Sequence, residues 1–103
     1  MKRSKFRPPT QLTDEGKALW RRLAGSIELD EAAAAILALL AESFDRMREA
    51  QAHIKTHGIV FEEKTAAGNS HYRQNPACGV ERDSRSAIIR CYRALGLDLE
   101  PSL

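Results

Sequence analysis

The chain is poor in cysteine and in aromatic residues: it has two cysteines, and Phe, Trp and Tyr together make up 6% of it. Cys78 and Cys91 fall on what reads as one helix, about 20 Å apart at ~1.5 Å per residue. That separation is beyond an intrachain disulfide. No partner for either thiol can be identified, so both read as small hydrophobes rather than redox or catalytic groups. Long hydrophobic runs are missing too. The apolar stretch 32–41 is far short of the about 20 residues that cross a bilayer. The N-terminus is basic with no apolar stretch behind it, so no secretory signal and no membrane partner are expected. There is no phosphate-binding glycine-rich loop and no Gly-x-Ser-x-Gly elbow. Glu62 and Glu63 are adjacent and point to opposite faces of a strand, a poor two-carboxylate site. The chain therefore reads as non-catalytic, with no cofactor.

The histidines are the remaining candidates for metal ligands. His53 and His57 are four apart and share a helix face, the spacing of a helical zinc pair. A metalloprotease pair needs Glu directly after the first His, and Ile54 stands there. No third ligand is in view, so they read as polar groups near the negative end of a helix. His71, with Asn75 nearby, resembles a fragment of metal-dependent nucleases but lacks paired carboxylates and Cys-x-x-Cys. No metal site is expected.

What the chain does have is uneven charge. The net charge is only +2, yet Lys2, Arg3, Lys5 and Arg7 crowd the first ten residues with no acid among them. A basic flexible arm over 1–12, stiffened at its exit by Pro8 and Pro9, precedes a single near-neutral domain over 13–103. That asymmetry predicts a polyanionic partner.

The pattern predicts an all-α domain of three helices, about 13–27, 31–57 and 76–95, with a small β-hairpin over about 59–74. Thr13 caps the first helix, and Asp14 and Glu15 suit its positive end. Leu19, Trp20, Leu23 and Ile27 share one face, and Lys17 and Arg21 lie opposite with Arg22 flanking them. Asp30 caps the second helix and Gly58 stops it. Its seam runs Ala33, Leu37, Leu40, Phe44, Met47 and Ile54, with Glu42, Asp45, Arg46 and Glu49 facing away. A helix of about 40 Å exceeds what one short partner can cover. Part of the seam, Leu37, Leu40, Phe44, Met47 and Ile54, is therefore expected to pack against another copy, in an oligomer larger than a dimer. Ile59-Val60-Phe61 is β-prone and Ala67-Gly68-Asn69 signals a turn. Asn75 caps the third helix, Pro76 fits its first position and Gly96 its C′ stop. Its buried face is Ala77, Val80, Ser84, Ile88, Cys91 and Leu95. Arg82, Arg85, Ile89 and Arg93 form a second stripe that suits an anionic partner or a subunit contact.

Taken in order, these pieces resemble the small terminase subunits of tailed phages. The resemblance covers about residues 8–101: Pro8-Pro9 and Leu12, then Ala18-Leu19-Trp20-Arg21-Arg22-Leu23, then Phe44 to Ala50, the Gly58-Ile59-Val60 helix exit, Asn75-Pro76-Ala77, Glu81-Arg82-Asp83, and Leu95-Gly96-Leu97-Asp98-Leu99-Glu100-Pro101. It implies a ring that binds double-stranded viral DNA at the packaging start. It also implies regulation of the large terminase subunit, which carries the ATPase and nuclease activities. The place of work would be the cytoplasm of an infected or lysogenic bacterial host. His is common before the proline in that family, where this chain has Asn75. The DNA contacts are expected at Lys2, Arg3, Lys5, Arg7, Lys17, Arg21 and Arg22, where cations release counterions from phosphates. Two rival readings are a small phage transcription regulator, favoured by a dimer on a palindromic site, and a metal nuclease using His71. The start of the second helix, Glu31 and four alanines, offers no base-reading side chains, which weighs against a helix-turn-helix.

Overall fold

Local end signals set most of the architecture. The computed structural model describes residues 5–97, arranged as α1 (Asp14–Ala24), α2 (Glu31–His57), β1 (Val60–Lys64), β2 (Ser70–Gln74) and α3 (Ala77–Ala94). Thr13 caps α1 by accepting from Gly16 N. Asp30 caps α2 by accepting from Ala33 N at 2.7 Å. Gly58, at φ +80°, ends α2 in a conformation that a β-carbon disfavours. At the head of α3, Pro76 has no side-chain acceptor and Asn75 does the capping, its Oδ1 taking Ala77 N at 2.9 Å. Gly96 at φ +70° reverses the chain after α3. Gly96 N bonds to Arg93 O and Leu97 N to Tyr92 O, a Schellman closure that satisfies two free carbonyls.

The expected bounds of α2 match. α3 differs by a residue at each end, while α1 stops at Ala24, three residues short of 27. Gly25 and Ser26 fold back instead, with Gly25 N on Arg21 O and Ser26 N on Leu23 O. Glycine has little to gain from prolonging a helix there.

α2 is the spine and packs against both α1 and α3. The core joins Leu12, Leu19, Trp20 and Leu23 to Leu37, Leu40 and Ala41 of α2 and Cys91 of α3, with Phe6, Phe44, Tyr92 and Leu97 packed around it. Leu12 and Phe6 thus belong to the folded body, so among the described residues the expected arm over 1–12 is anchored from Phe6 onward.

Three expectations about faces need correction. Asp45 and Glu42 do not face away from the protein. Asp45 receives Thr13 N and Thr13 Oγ1, and Glu42 Oε1 receives Gln11 Nε2 at 3.0 Å. The start of α1 lies across α2, and a carboxylate there meets unpaired N–H groups and the positive helix end. Val80 is 41% exposed rather than buried. It sits in the first turn of α3, whereas the buried cluster engages the opposite end of that helix through Cys91.

The hairpin pairs antiparallel from Val60↔Gln74 to Lys64↔Ser70, closed by a turn with Gly68 at φ +85°. Its strand residues are exposed except for half-buried Phe61. The molecule is accordingly long, 67 × 34 × 21 Å.

Candidate nucleic-acid and subunit surfaces

The cations expected to meet DNA fall in the N-terminal segment, on α1 and on α3, while α2 and the hairpin carry further exposed cations, among them Arg46, Lys55 and Lys64. Lys2 and Arg3 lie outside the described residues. Lys5 sits with its ammonium 5.3 Å from the Phe6 ring centroid, and Arg7 Nη1 donates to Phe6 O at 3.3 Å. Because Phe6 packs on the core, both exposed cations are held against the body. On α1, Arg21 and Arg22 are exposed and Lys17 is half-buried. Among the described residues none of these three forms an ion pair.

The stripe on α3 differs. Arg82 pairs with Asp83 at 3.2 Å and Arg85 pairs with Glu81 one turn back. Glu81 also accepts from Gln51 Nε2 of α2 at 3.3 Å. Two of the three expected cations are thus partly neutralised by acids on their own helix. Ile89 is 38% exposed and Arg93 is exposed beside it. Arg90, also exposed, extends this basic surface beyond the expected stripe. Its spacing of three from Arg93 on the helix is the sequence signal for it.

The expected subunit seam divides in two. Leu37 and Leu40 are 0% exposed, so α1 and α3 already cover them and no surface remains for another copy. Phe44, Met47 and Ile54 are half-buried. Phe44 and Met47 line a shallow groove between α1 and α2, rimmed by the Arg48–Glu15 ion pair at 2.8 Å. Leu39, which lies outside the expected seam, is 51% exposed. It continues a stripe with exposed Ala32 and Ala35, at helical spacings of three and four that are legible in the sequence.

On the hairpin, Glu62 accepts from Ser70 Oγ at 2.7 Å and Glu63 pairs with Arg73. The two carboxylates therefore engage different cross-strand partners. His71 is exposed and stands opposite Glu63. Among the described residues, no group of three or more His, Cys, Asp or Glu could hold a metal ion. Cys78 and Cys91 are both free. Burial pushes the Cys91 thiol up in pKa, against the opposing pull of Arg90. No helix among the described residues is long and apolar enough to cross a membrane.

A family model described as phage terminase, small subunit, matches residues 16–101, a span that takes in all of α2, the hairpin and α3. No curated protein and no solved structure matches the chain.

Proposed function

The chain belongs to the phage terminase small-subunit family, and from that premise we propose that it recognises viral DNA at the start of genome packaging. In this reading it is a non-catalytic member of the machinery, and it regulates the large subunit that carries the motor and nuclease activities. It works in the cytoplasm of the host bacterium as a ring of identical copies.

The observation that carries the DNA reading is the state of the cations on α1. Among the described residues, Lys17, Arg21 and Arg22 face no acid within ion-pair distance, while Arg82 and Arg85 of α3 do. An unpaired cation gives a phosphate its full attraction and releases its counterion. A paired one must first be separated from its own carboxylate. The α1 face is thus favoured over the Arg82 and Arg85 part of the α3 stripe. Arranged around a ring, such weak contacts multiply through effective concentration.

Assembly rests on apolar surface that one chain leaves open: Leu39, and the Phe44–Met47 groove toward Ile54. Fluorescence anisotropy with duplex DNA over a salt series tests the proposal. Arg21→Ala with Arg22→Ala should weaken binding and flatten its salt dependence. Absence of any DNA binding at low salt would overturn it.

A further inference from the structure

The stripe on α3 that the DNA reading leaves aside has a counterpart elsewhere on the same chain. Arg85, Ile89 and Arg93 follow one another at intervals of four, so they stand in a row along the helix. Ile89 is 38% exposed, an apolar side chain left partly open between two exposed arginines. Arg85 is tied to Glu81. Arg93 forms no ion pair among the described residues. The face is thus an apolar knob with a free cation one turn on. The counterpart is a groove where the link between α1 and α2 passes the end of α3. Half-buried Ile27, Ile36 and Leu95 line it, together with exposed Glu28 and Asp30. Its volume is about 390 Å³, far more than a bound water needs, so an aliphatic side chain can enter. Asp30 uses one oxygen, Oδ1, to cap Ala33 N. Neither Glu28 nor Asp30 forms an ion pair among the described residues.

We propose that the Ile89–Arg93 face of one copy docks in this groove of a second copy, with Ile89 against Ile27, Ile36 and Leu95 and with Arg93 against Glu28 and Asp30. Apolar surface then meets apolar surface, and a free cation meets two free acids. Exposed ion pairs add little affinity. The apolar contact supplies the attraction, and the charges decide which face meets which. Ala94, which also lines the groove, is five residues from Ile89, about 140° around α3 at about 3.6 residues per turn. Knob and groove of one chain therefore open in different directions. Both cannot face the same neighbour, so the contact runs head to tail. Head-to-tail contacts close into rings where the rotation allows, whereas a two-fold dimer needs one self-complementary patch. This contact, which rests on the proposed assembly of identical copies, gives the α3 stripe a protein partner and leaves the α1 cations to DNA.

Charge reversal followed by light scattering tests it, on the full chain at micromolar concentration and without DNA. Arg93 and Glu28 are exposed, so Arg93→Glu and Glu28→Arg should keep the helical circular dichroism spectrum. Each alone sets like charges against each other across the contact and should lower the mass. The two combined in one chain restore opposite charges and should regain the mass of the unmodified oligomer. A large unmodified oligomer that ignores both reversals leaves the assembly standing and overturns only this contact. So does a doubly reversed chain that stays as small as the single variants. An unmodified chain no larger than a dimer overturns the head-to-tail geometry, and a monomer removes the proposed assembly with it.

Discussion

Asp45, in the middle of α2, holds the start of α1 through Thr13, taking the backbone N–H on Oδ2 at 2.8 Å and the hydroxyl on Oδ1 at 2.6 Å. Thr13 Oγ1 in turn accepts from Gly16 N at 3.0 Å. The approach is close enough that a β-carbon on Gly16 would stand 2.4 Å from Asp45 Oδ1. Gly16 is therefore the residue that lets α1 and α2 share this carboxylate.

That geometry reverses a normal substitution effect. Gly→Ala inside a helix ordinarily stabilises by about 1 kcal/mol. Here Gly16→Ala displaces Asp45 from both hydrogen bonds and should destabilise by about 1–2 kcal/mol. In an Asp45→Ala background the clash is gone, and Gly16→Ala should stabilise by about 1 kcal/mol. Urea unfolding of the four proteins measures the sign change. The same sign in both backgrounds would show that Asp45 is not what excludes a side chain at Gly16.

Fold and assembly should separate on α2. Leu40 is fully enclosed in one chain, so Leu40→Ala should cost about 2–5 kcal/mol, and Leu40→Asp should abolish folding because its charge would be buried unpaired. Leu39→Asp and Met47→Asp place the charge on surface that the single chain leaves open or half open. They should keep the helical circular dichroism spectrum while lowering the mass seen by light scattering. Unchanged mass in both would remove this surface from the subunit contact.

The sequence is legible where a single residue dictates a backbone state. Asp30 and Gly58 bound α2, Gly68 marks the hairpin turn, and Gly96 marks the stop after α3. It is less legible where burial depends on two neighbours at once. Leu37 and Leu40 lie on one apolar stripe with Phe44 and Met47, and periodicity alone does not say which half α1 and α3 cover. The role of Asp45 is hidden for a related reason: only the crossing of α1 over α2 turns a surface carboxylate into a cap for another helix. For the DNA surface, the sequence places the cations but not their partners. The pairing of Arg82 and Arg85 with Asp83 and Glu81 is what separates α3 from α1.

The two thiols should differ in reactivity. Burial disfavours the Cys91 thiolate and keeps the thiol protonated to higher pH than an ordinary cysteine. Cys78 is only half-buried. Under native conditions at about pH 8, just below the usual thiol range, iodoacetamide should label Cys78 well before Cys91. Urea should remove the difference. Mass spectrometry of the labelled peptides reads both, and equal native rates would contradict the buried placement of Cys91.

The DNA surface is best tested without disturbing the core. Removing residues 1–7 would also remove Phe6, which packs on the core cluster, so weaker binding could then reflect damage to the fold. Lys5→Ala with Arg7→Ala, combined with Lys2→Ala and Arg3→Ala, removes the charges of the arm and keeps Phe6. Binding to all duplex sequences should weaken together, because phosphate contacts position a protein without reading bases. The slope of log K against log salt should become shallower by roughly 0.9 for each phosphate that is no longer neutralised. Circular dichroism and oligomer mass should not change. The competing surface is read in parallel with Arg85→Ala and Arg93→Ala. If the arm and α1 variants leave the slope intact while the α3 pair abolishes binding, DNA lies along α3, and the Arg85–Glu81 pair must open to receive it.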